Sequence, residues 1–270
     1  MRYDIAYSIT AHENIACVND MYENIMKFNA GLDCLVIFHI NEALWEEIDT
    51  IPARANLIFN PIRTDKARFT SSIFLAHLDN YRLVEAQDFD YFCLLASNDL
   101  FVRPVDINRI DATTPWLDVA PTGYSLGDTE MWSADEFLKN EELVRVFKKN
   151  DIGIEAAIHW GAYFKKYVFG FIEAFCEENG ICKEIFTNDK IAAEEIVLPS
   201  LEKYATGQVT PRYGICLYGI TEQDIRNVIE TGSSRGAVDT HYTIVRVERN
   251  MENELRKMIR ELKNEPCQLA

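Results

Sequence analysis

Apolar residues alternate between two patterns along this chain. Ile5–Thr10 and Cys34–Ile40 are short apolar runs rich in β-branched and aromatic residues, bounded by polar groups, and they read as buried strands. Between them Ile15–Phe28 carries its apolar positions at helical spacing, so the chain opens as strand, loop, helix, strand. Asn56–Phe59 reads as a third strand and Ser71–Glu85 as a helix with Ile73, Leu75, Ala76, Leu78 and Leu83 inward. Tyr91–Ala96 reads as a fully apolar strand. Alternating strands and helices predict an α/β fold, a mostly parallel central sheet flanked by helices on both faces.

The strand Tyr91–Ala96 ends in Ser97-Asn98-Asp99, where an open α/β sheet binds ligand, beyond the carboxyl ends of its strands. Periodicity is lost over Thr113–Asp135, which reads as a functional loop region. Helical patterns return at Asp135–Lys149, Phe164–Asn179 and Glu194–Tyr204. A strand at Tyr242–Val247 and a charged helix at Met251–Lys263 close the chain. No linker divides these segments, so 1–270 reads as one domain with loop insertions, 1–110 supplying a nucleotide-binding half and 111–270 an acceptor and catalytic half.

Composition narrows the functional classes. The chain is 48% hydrophobic, enough to fill a substantial core, and no segment has the Gly, Pro or low-complexity content of a disordered linker. With 43 acidic against 27 basic residues the net charge is -16, which repels nucleic-acid phosphates and anionic lipid over most of the surface. An acidic chain can still hold a nucleotide, because a pyrophosphate needs only a few well-placed Arg, Lys or backbone N–H groups. The seven cysteines are odd in number and mostly embedded in apolar runs, as reduced thiols are. No apolar stretch reaches the roughly 18 residues that span a bilayer. The chain reads as cytoplasmic, with peripheral membrane attachment through its C-terminus or a partner left open.

Walker A, Gly-x-Gly-x-x-Gly, Cys-x-x-Cys, His-Glu-x-x-His and Gly-x-Ser-x-Gly motifs do not occur, so the chemistry rests on carboxylates, single histidines and arginines. Several stretches, in their order, resemble the core-2/I-branching glycosyltransferases, a family of β-1,6-N-acetylglucosaminyltransferases, peptide xylosyltransferases and bacterial relatives. Ile5-Ala6-Tyr7-Ser8-Ile9-Thr10-Ala11-His12 resembles the family's first strand with its His. Val36-Ile37-Phe38-His39-Ile40-Asn41 resembles its His-x-Asp second strand, with Asn41 in place of the Asp. Ser71–Leu78 followed by Phe89–Pro104, with Asp90-Tyr91-Phe92 and Leu94-Leu95-Ala96-Ser97-Asn98-Asp99, is similar to the family's helix and its DYF-x-LLSG-x-D-x-P stretch. That is the most specific match. Gly161-Ala162-Tyr163-Phe164, Glu194-Glu195-Ile196-Val197-Leu198-Pro199-Ser200-Leu201, and Thr243–Asn250 through Leu255-Arg256 resemble three further segments. The second of these carries the family's catalytic Glu.

The resemblance implies a GT-A type nucleotide-diphospho-sugar transferase fold and an inverting displacement. The donor would be a nucleotide-sugar, with UDP the nucleotide, and the acceptor a glycan or lipid-linked glycan. No metal cofactor is expected, because Ser97-Asn98-Asp99 lacks one carboxylate of the Asp-x-Asp metal site. Glu195 is the implied catalytic base, with Glu194 as the alternative one residue away. An inverting transfer needs one ionised carboxylate beside the acceptor hydroxyl, and a Glu with an ordinary value of about 4.3 is ionised at neutral pH. The negative charge that builds on the leaving nucleoside diphosphate calls for cations. Arg246 and Arg249, at the end of a predicted strand, are the candidates, with Arg212 and Arg235 behind them. His12 and Asn41 complete the donor side. Asp99, Trp160 and Tyr163 are candidates for the acceptor or sugar, and Trp116 and Trp132 are further rings that could stack on one.

Each of these residues also has a plainer reading. Glu194 and Glu195 fit a solvated helix face, Asp99 fits a turn cap, and Arg246 and Arg249 have Glu248 and Glu252 as salt-bridge partners. Two other functions stay open beside the leading one: a metal-dependent nucleotide-sugar transferase using Asp99, and a non-catalytic glycan- or nucleotide-binding module.

Overall fold

The computed structural model describes residues 2–12, 14–63, 72–112, 122–124, 132–157, 161–186, 191–210, 214–216, 221–232 and 242–263. The predicted loop region Thr113–Asp135 lies mostly outside them. The central sheet is built from β1 (Arg2–Ala11), β2 (Cys34–Ile40), β3 (Leu57–Phe59), β4 (Asp88–Ala96) and β8 (Tyr163–Lys165) in the order β3-β2-β1-β4-β8. All pairings are parallel except the last. The chain is an α/β protein with a mostly parallel sheet flanked by helices, and the strand order is Rossmann-like.

β1 lies between β2 and β4, with Ser8 opposite both Ile37 and Leu94. Because side chains alternate across a strand, Ile5, Tyr7 and Ile9 feed one core and Ala6 feeds the other. The first core is closed by α1 (Ile15–Phe28), through Val18, Met21, Ile25 and Phe28, and by Val228 of α8 (Glu222–Thr231) and Ile259 of α9 (Glu254–Glu261). The second is closed by α2 (Ser72–Val84), α4 (Trp132–Leu138), α5 (Glu141–Lys149), α6 (Lys166–Glu178) and α7 (Ala193–Thr206). Each buried Phe or Leu in these layers contributes roughly 1.5–3 kcal/mol. Cys17, Cys34, Cys93 and Cys176 are buried free thiols in the same layers.

Both helices at the amino-terminal end are pinned by polar side chains. Asn14 caps α1 by accepting the Ala16 N–H at 3.1 Å, and Asn29 ends it, its side chain donating to the Ile25 carbonyl at 2.9 Å. α2 is tied across β1 by a buried polar seam. The Asn80 amide donates to Ser8 Oγ at 2.9 Å, Ser8 Oγ lies 2.7 Å from His77 Nδ1, and the Asn60 amide donates to Asn80 Oδ1 at 2.9 Å. The inward face of α2 is Phe74, Ala76, Leu78, Tyr81 and Val84; Ile73 and Leu75 are half-buried, and Leu83 is 41% exposed, against the expected face.

Other expected elements differ as well. The single helix expected over Asp135–Lys149 is two helices, because Asn140 interrupts it. Its Oδ1 accepts the Leu143 N–H at 3.0 Å as the cap of α5, while its Nδ2 donates to the Ile185 carbonyl at 2.7 Å. The helix expected from Phe164 starts at Lys166, because Tyr163–Lys165 instead pairs antiparallel with β4, with Phe164 opposite Phe92, and covers that sheet edge. The strand expected over Tyr242–Val247 is the shorter β10 (Thr243–Val245), which joins β5 (Leu100–Phe101) and β9 (Gly214–Cys216) in a small separate sheet. β6 (Thr122–Tyr124) and β7 (Ile154–Ala156) form a further antiparallel pair, and α3 (Ile107–Ala112) follows β5.

Candidate functional site

The chain leaves β1 toward β2 on one side and returns to β4 on the other, so the carboxyl ends of β1 and β4 form the switch point of the sheet. Half-buried His12 follows β1 there, and Ser97-Asn98-Asp99 follows β4, held alongside by the Ser97 N–H donating to the Thr10 carbonyl at 3.0 Å. Asn41 follows β2. Its N–H donates to the Ala11 carbonyl at 2.7 Å, and its side chain accepts the Ala43 N–H at 2.9 Å to start the 3-10 helix Glu42–Thr50.

The turn after β10 closes over this edge. Val247 N–H donates to the Asn98 carbonyl at 2.9 Å, and Arg246 N–H donates to Asp99 Oδ1 at 3.3 Å. Arg246 has φ 69, a left-handed conformation that a non-glycine residue adopts only when its surroundings fix it, and Asn14 nearby has φ 55. The half-buried Arg249 guanidinium donates to Asn98 Oδ1 at 3.1 Å and to Ser97 Oγ at 3.4 Å. Asn14 Nδ2 donates to the Arg249 carbonyl at 3.1 Å. The fully buried Asp99 carboxylate accepts the Ala96 N–H at 2.7 Å in addition to Arg246, so it organises the two loops from inside. Burial pushes this carboxyl up to about 6, against the opposing pull of those two N–H groups and of the Arg249 and Arg246 charges.

On the other side of β4 stands the start of α7. A proline inside a helix has no N–H for the carbonyl four residues earlier, and Pro199 thereby releases the Glu195 carbonyl. That carbonyl accepts the Ala157 N–H at 3.0 Å. Ser200 Oγ accepts the Glu155 N–H at 2.8 Å, and Lys203 pairs with the Glu155 carboxylate, so one face of α7 is docked along β7. Four residues after Ala157, Gly161 N–H donates to the Leu94 carbonyl at 2.9 Å, near the end of β4.

Glu194 and Glu195 are 4% and 8% exposed. Burial, then the neighbouring Glu195 charge, push the Glu194 carboxyl up to about 8, with its own backbone N–H acting in opposition. Among the described residues, Glu194 Oε2 is buried without a hydrogen-bond partner. At neutral pH Glu194 holds its proton, and a carboxyl that already carries a proton cannot take another.

Of the residues singled out from sequence, the structure gathers His12, Asn41, Arg246 and Arg249 along the switch-point edge, and places Glu195 in the first turn of α7. Asp99 lies beneath that edge, fully buried with its oxygens on the Ala96 and Arg246 N–H groups, so it braces the loops where it was expected to face acceptor or sugar. Tyr163 is not brought there with them. It is 3% exposed in the core, edge-on to Tyr7 at 6.3 Å and to Tyr91 at 6.4 Å. Trp160, Trp116, Arg212 and Arg235 lie outside the described residues. Sequence reasoning missed Asn14, whose signal was a capping residue just before a helical run, and the Ser97–Asn98 contact with Arg249. Among the described residues, no group of three or more His, Cys, Asp or Glu side chains could hold a metal ion. A groove of about 720 Å³ opens at the opposite edge, at the amino ends of β1 and β4, between Asp4, Asp90 and Lys166.

The fold and this polar edge define the class: an α/β protein whose candidate ligand site lies at the switch point of a mostly parallel sheet. No family model and no curated protein matches the chain. Among the described residues, no helix is long and apolar enough to cross a membrane.

Proposed function

We propose that this protein is an inverting glycosyltransferase with a GT-A type fold, moving a sugar from a nucleotide donor, a UDP-sugar, to a hydroxyl of a glycan or lipid-linked glycan. The observation that carries the reading is the Arg249 guanidinium, held on Ser97 and Asn98 at the carboxyl edge of β4 beside the strained Arg246 turn. A planar guanidinium is suited to a diphosphate, because its fork donates two parallel hydrogen bonds to phosphate oxygens. Arg246 and Arg249 neutralise the leaving nucleoside diphosphate, and His12 and Asn41 border the donor from the ends of β1 and β2. Glu195 takes the proton of the acceptor hydroxyl as that oxygen attacks the anomeric carbon from the face opposite the diphosphate. The proton already on Glu194 favours Glu195 for this role. The Asp99 carboxylate is engaged by two backbone N–H groups, which supports neutralisation by arginine and a transfer that needs no divalent ion.

Calorimetric titration with UDP, GDP, CMP and dTDP tests the donor site. The expected result is that UDP binds and that its affinity is unchanged by EDTA. Binding abolished by EDTA would overturn the cationic site, and failure of all four nucleotides to bind would overturn the nucleotide reading.

A further inference from the structure

Arg256, seven positions after Arg249, is a fully buried arginine that the donor site itself does not use. It sits in the first turn of α9 and ion-pairs with Asp20 of α1, which also lies 4.0 Å from Arg260. Its Nε donates to the Glu248 carbonyl at 3.1 Å. Among the described residues its Nη2 is buried without a hydrogen-bond partner. Stability alone does not account for such a pair, since buried ion pairs replaced by apolar residues of similar volume often leave a protein as stable or more so.

What the pair holds is the turn that carries Arg249. The Glu248 carbonyl belongs to the peptide immediately before Arg249, and the Arg249 carbonyl, on its other side, is held by Asn14. Arg246 and Val247 are fixed by their N–H groups on Asp99 and Asn98. Asn253, the cap of α9, adds a bond from its Nδ2 to Glu248 Oε2 at 2.9 Å. Every residue from 246 to 249 is thus tied through its backbone, and the tie to residue 248 runs through Arg256.

We propose that Arg256, anchored by Asp20, is a positioning residue that fixes the peptide before Arg249 and so aims its guanidinium at an anionic diphosphate lying on Ser97 and Asn98. The proposal rests on the donor site described above. A planar guanidinium loses its two-bond fit when its backbone pivots, whereas the rest of the sheet edge is held independently of α9.

The test replaces the pair while keeping the fold. Asp20→Leu/Arg256→Met removes both charges together, so no unpaired ion is left buried, and Arg256→Lys keeps the charge without the fork. UDP affinity by calorimetry and amide hydrogen exchange over residues 246–249 are measured for both, with Arg249→Ala as the reference. The double variant is expected to melt near wild type, to bind UDP roughly 10-fold more weakly and to exchange faster over 246–249 only, with Arg256→Lys intermediate. In turnover its donor KM rises and kcat falls as well, because Arg249 also meets the charge that builds on the leaving diphosphate. Wild-type exchange over 246–249 in the double variant would overturn the proposal. So would wild-type UDP affinity there while Arg249→Ala is weakened. An Arg249→Ala chain that binds UDP as wild type does would instead overturn the donor site itself.

Discussion

Glu195→Gln is expected to lower sugar transfer by roughly 100- to 10,000-fold, the range over which a positioned general base acts, while leaving nucleotide affinity unchanged. The substitution preserves size, and the contact that docks this turn is made by the Glu195 backbone carbonyl to Ala157, which a side-chain change leaves in place. Glu194→Gln is the internal control. Its carboxyl holds a proton at neutral pH, so a neutral amide there keeps transfer within a few-fold of wild type. Steady-state kinetics on both variants check the pair. A Glu195→Gln enzyme with undiminished kcat would move the base elsewhere.

The second large effect is on stability as a function of pH. Glu194 is raised from an ordinary 4.5 to about 8, Glu202 from 4.5 to about 7, and Asp99 from 3.8 to about 6, each chiefly by burial. Between the ordinary and folded values the native chain keeps protons that the unfolded chain has released. Stability therefore falls as pH rises through that window. This contribution is intact below about pH 4 and is lost as pH passes 8. Glu194→Gln removes the largest share, so it should melt close to wild type at pH 5 and clearly above it at pH 9, by on the order of 3 kcal/mol. Thermal melts of the two proteins at pH 5, 7 and 9 decide it: curves that diverge toward pH 9 are expected, and parallel curves would show that Glu194 ionises as an ordinary carboxyl.

The parts of the fold readable from sequence are those fixed by local signals. Ile15–Phe28 and Cys34–Ile40 have the expected bounds, because a cap at Asn14 and an uninterrupted apolar run define them without reference to distant residues. The break at Asn140 depends on a carbonyl 45 positions away, and β8 depends on pairing with Phe92, so helical periodicity alone ran past both. Leu83 departs from the expected inward face for a related reason. The seam of Ser8, His77 and Asn80 sets the rotation of α2, and a polar contact of that kind carries no hydrophobic signal.

The site divides in the same way. Ser97-Asn98-Asp99 was visible as the polar end of an apolar strand, but its contact with Arg249 joins residues 151 positions apart. Pro199 was in plain view four residues after Glu195, yet that it frees a carbonyl for Ala157 becomes evident only once β7 is in place. Tyr163 is the opposite case: β8 is covered on both faces, with Tyr163 in one core and Phe164 in the other, and a segment pattern does not show that.

Transfer from a nucleotide-sugar by way of Glu195 and two arginines is decided by turnover across UDP-, GDP-, CMP- and dTDP-sugars, with and without EDTA, on wild type and Glu195→Gln. Wild type is expected to consume a UDP-sugar equally well in EDTA, and Glu195→Gln to consume it at least about 100-fold more slowly. Turnover that requires a divalent ion and survives the substitution, or no turnover of any donor, would contradict that mechanism.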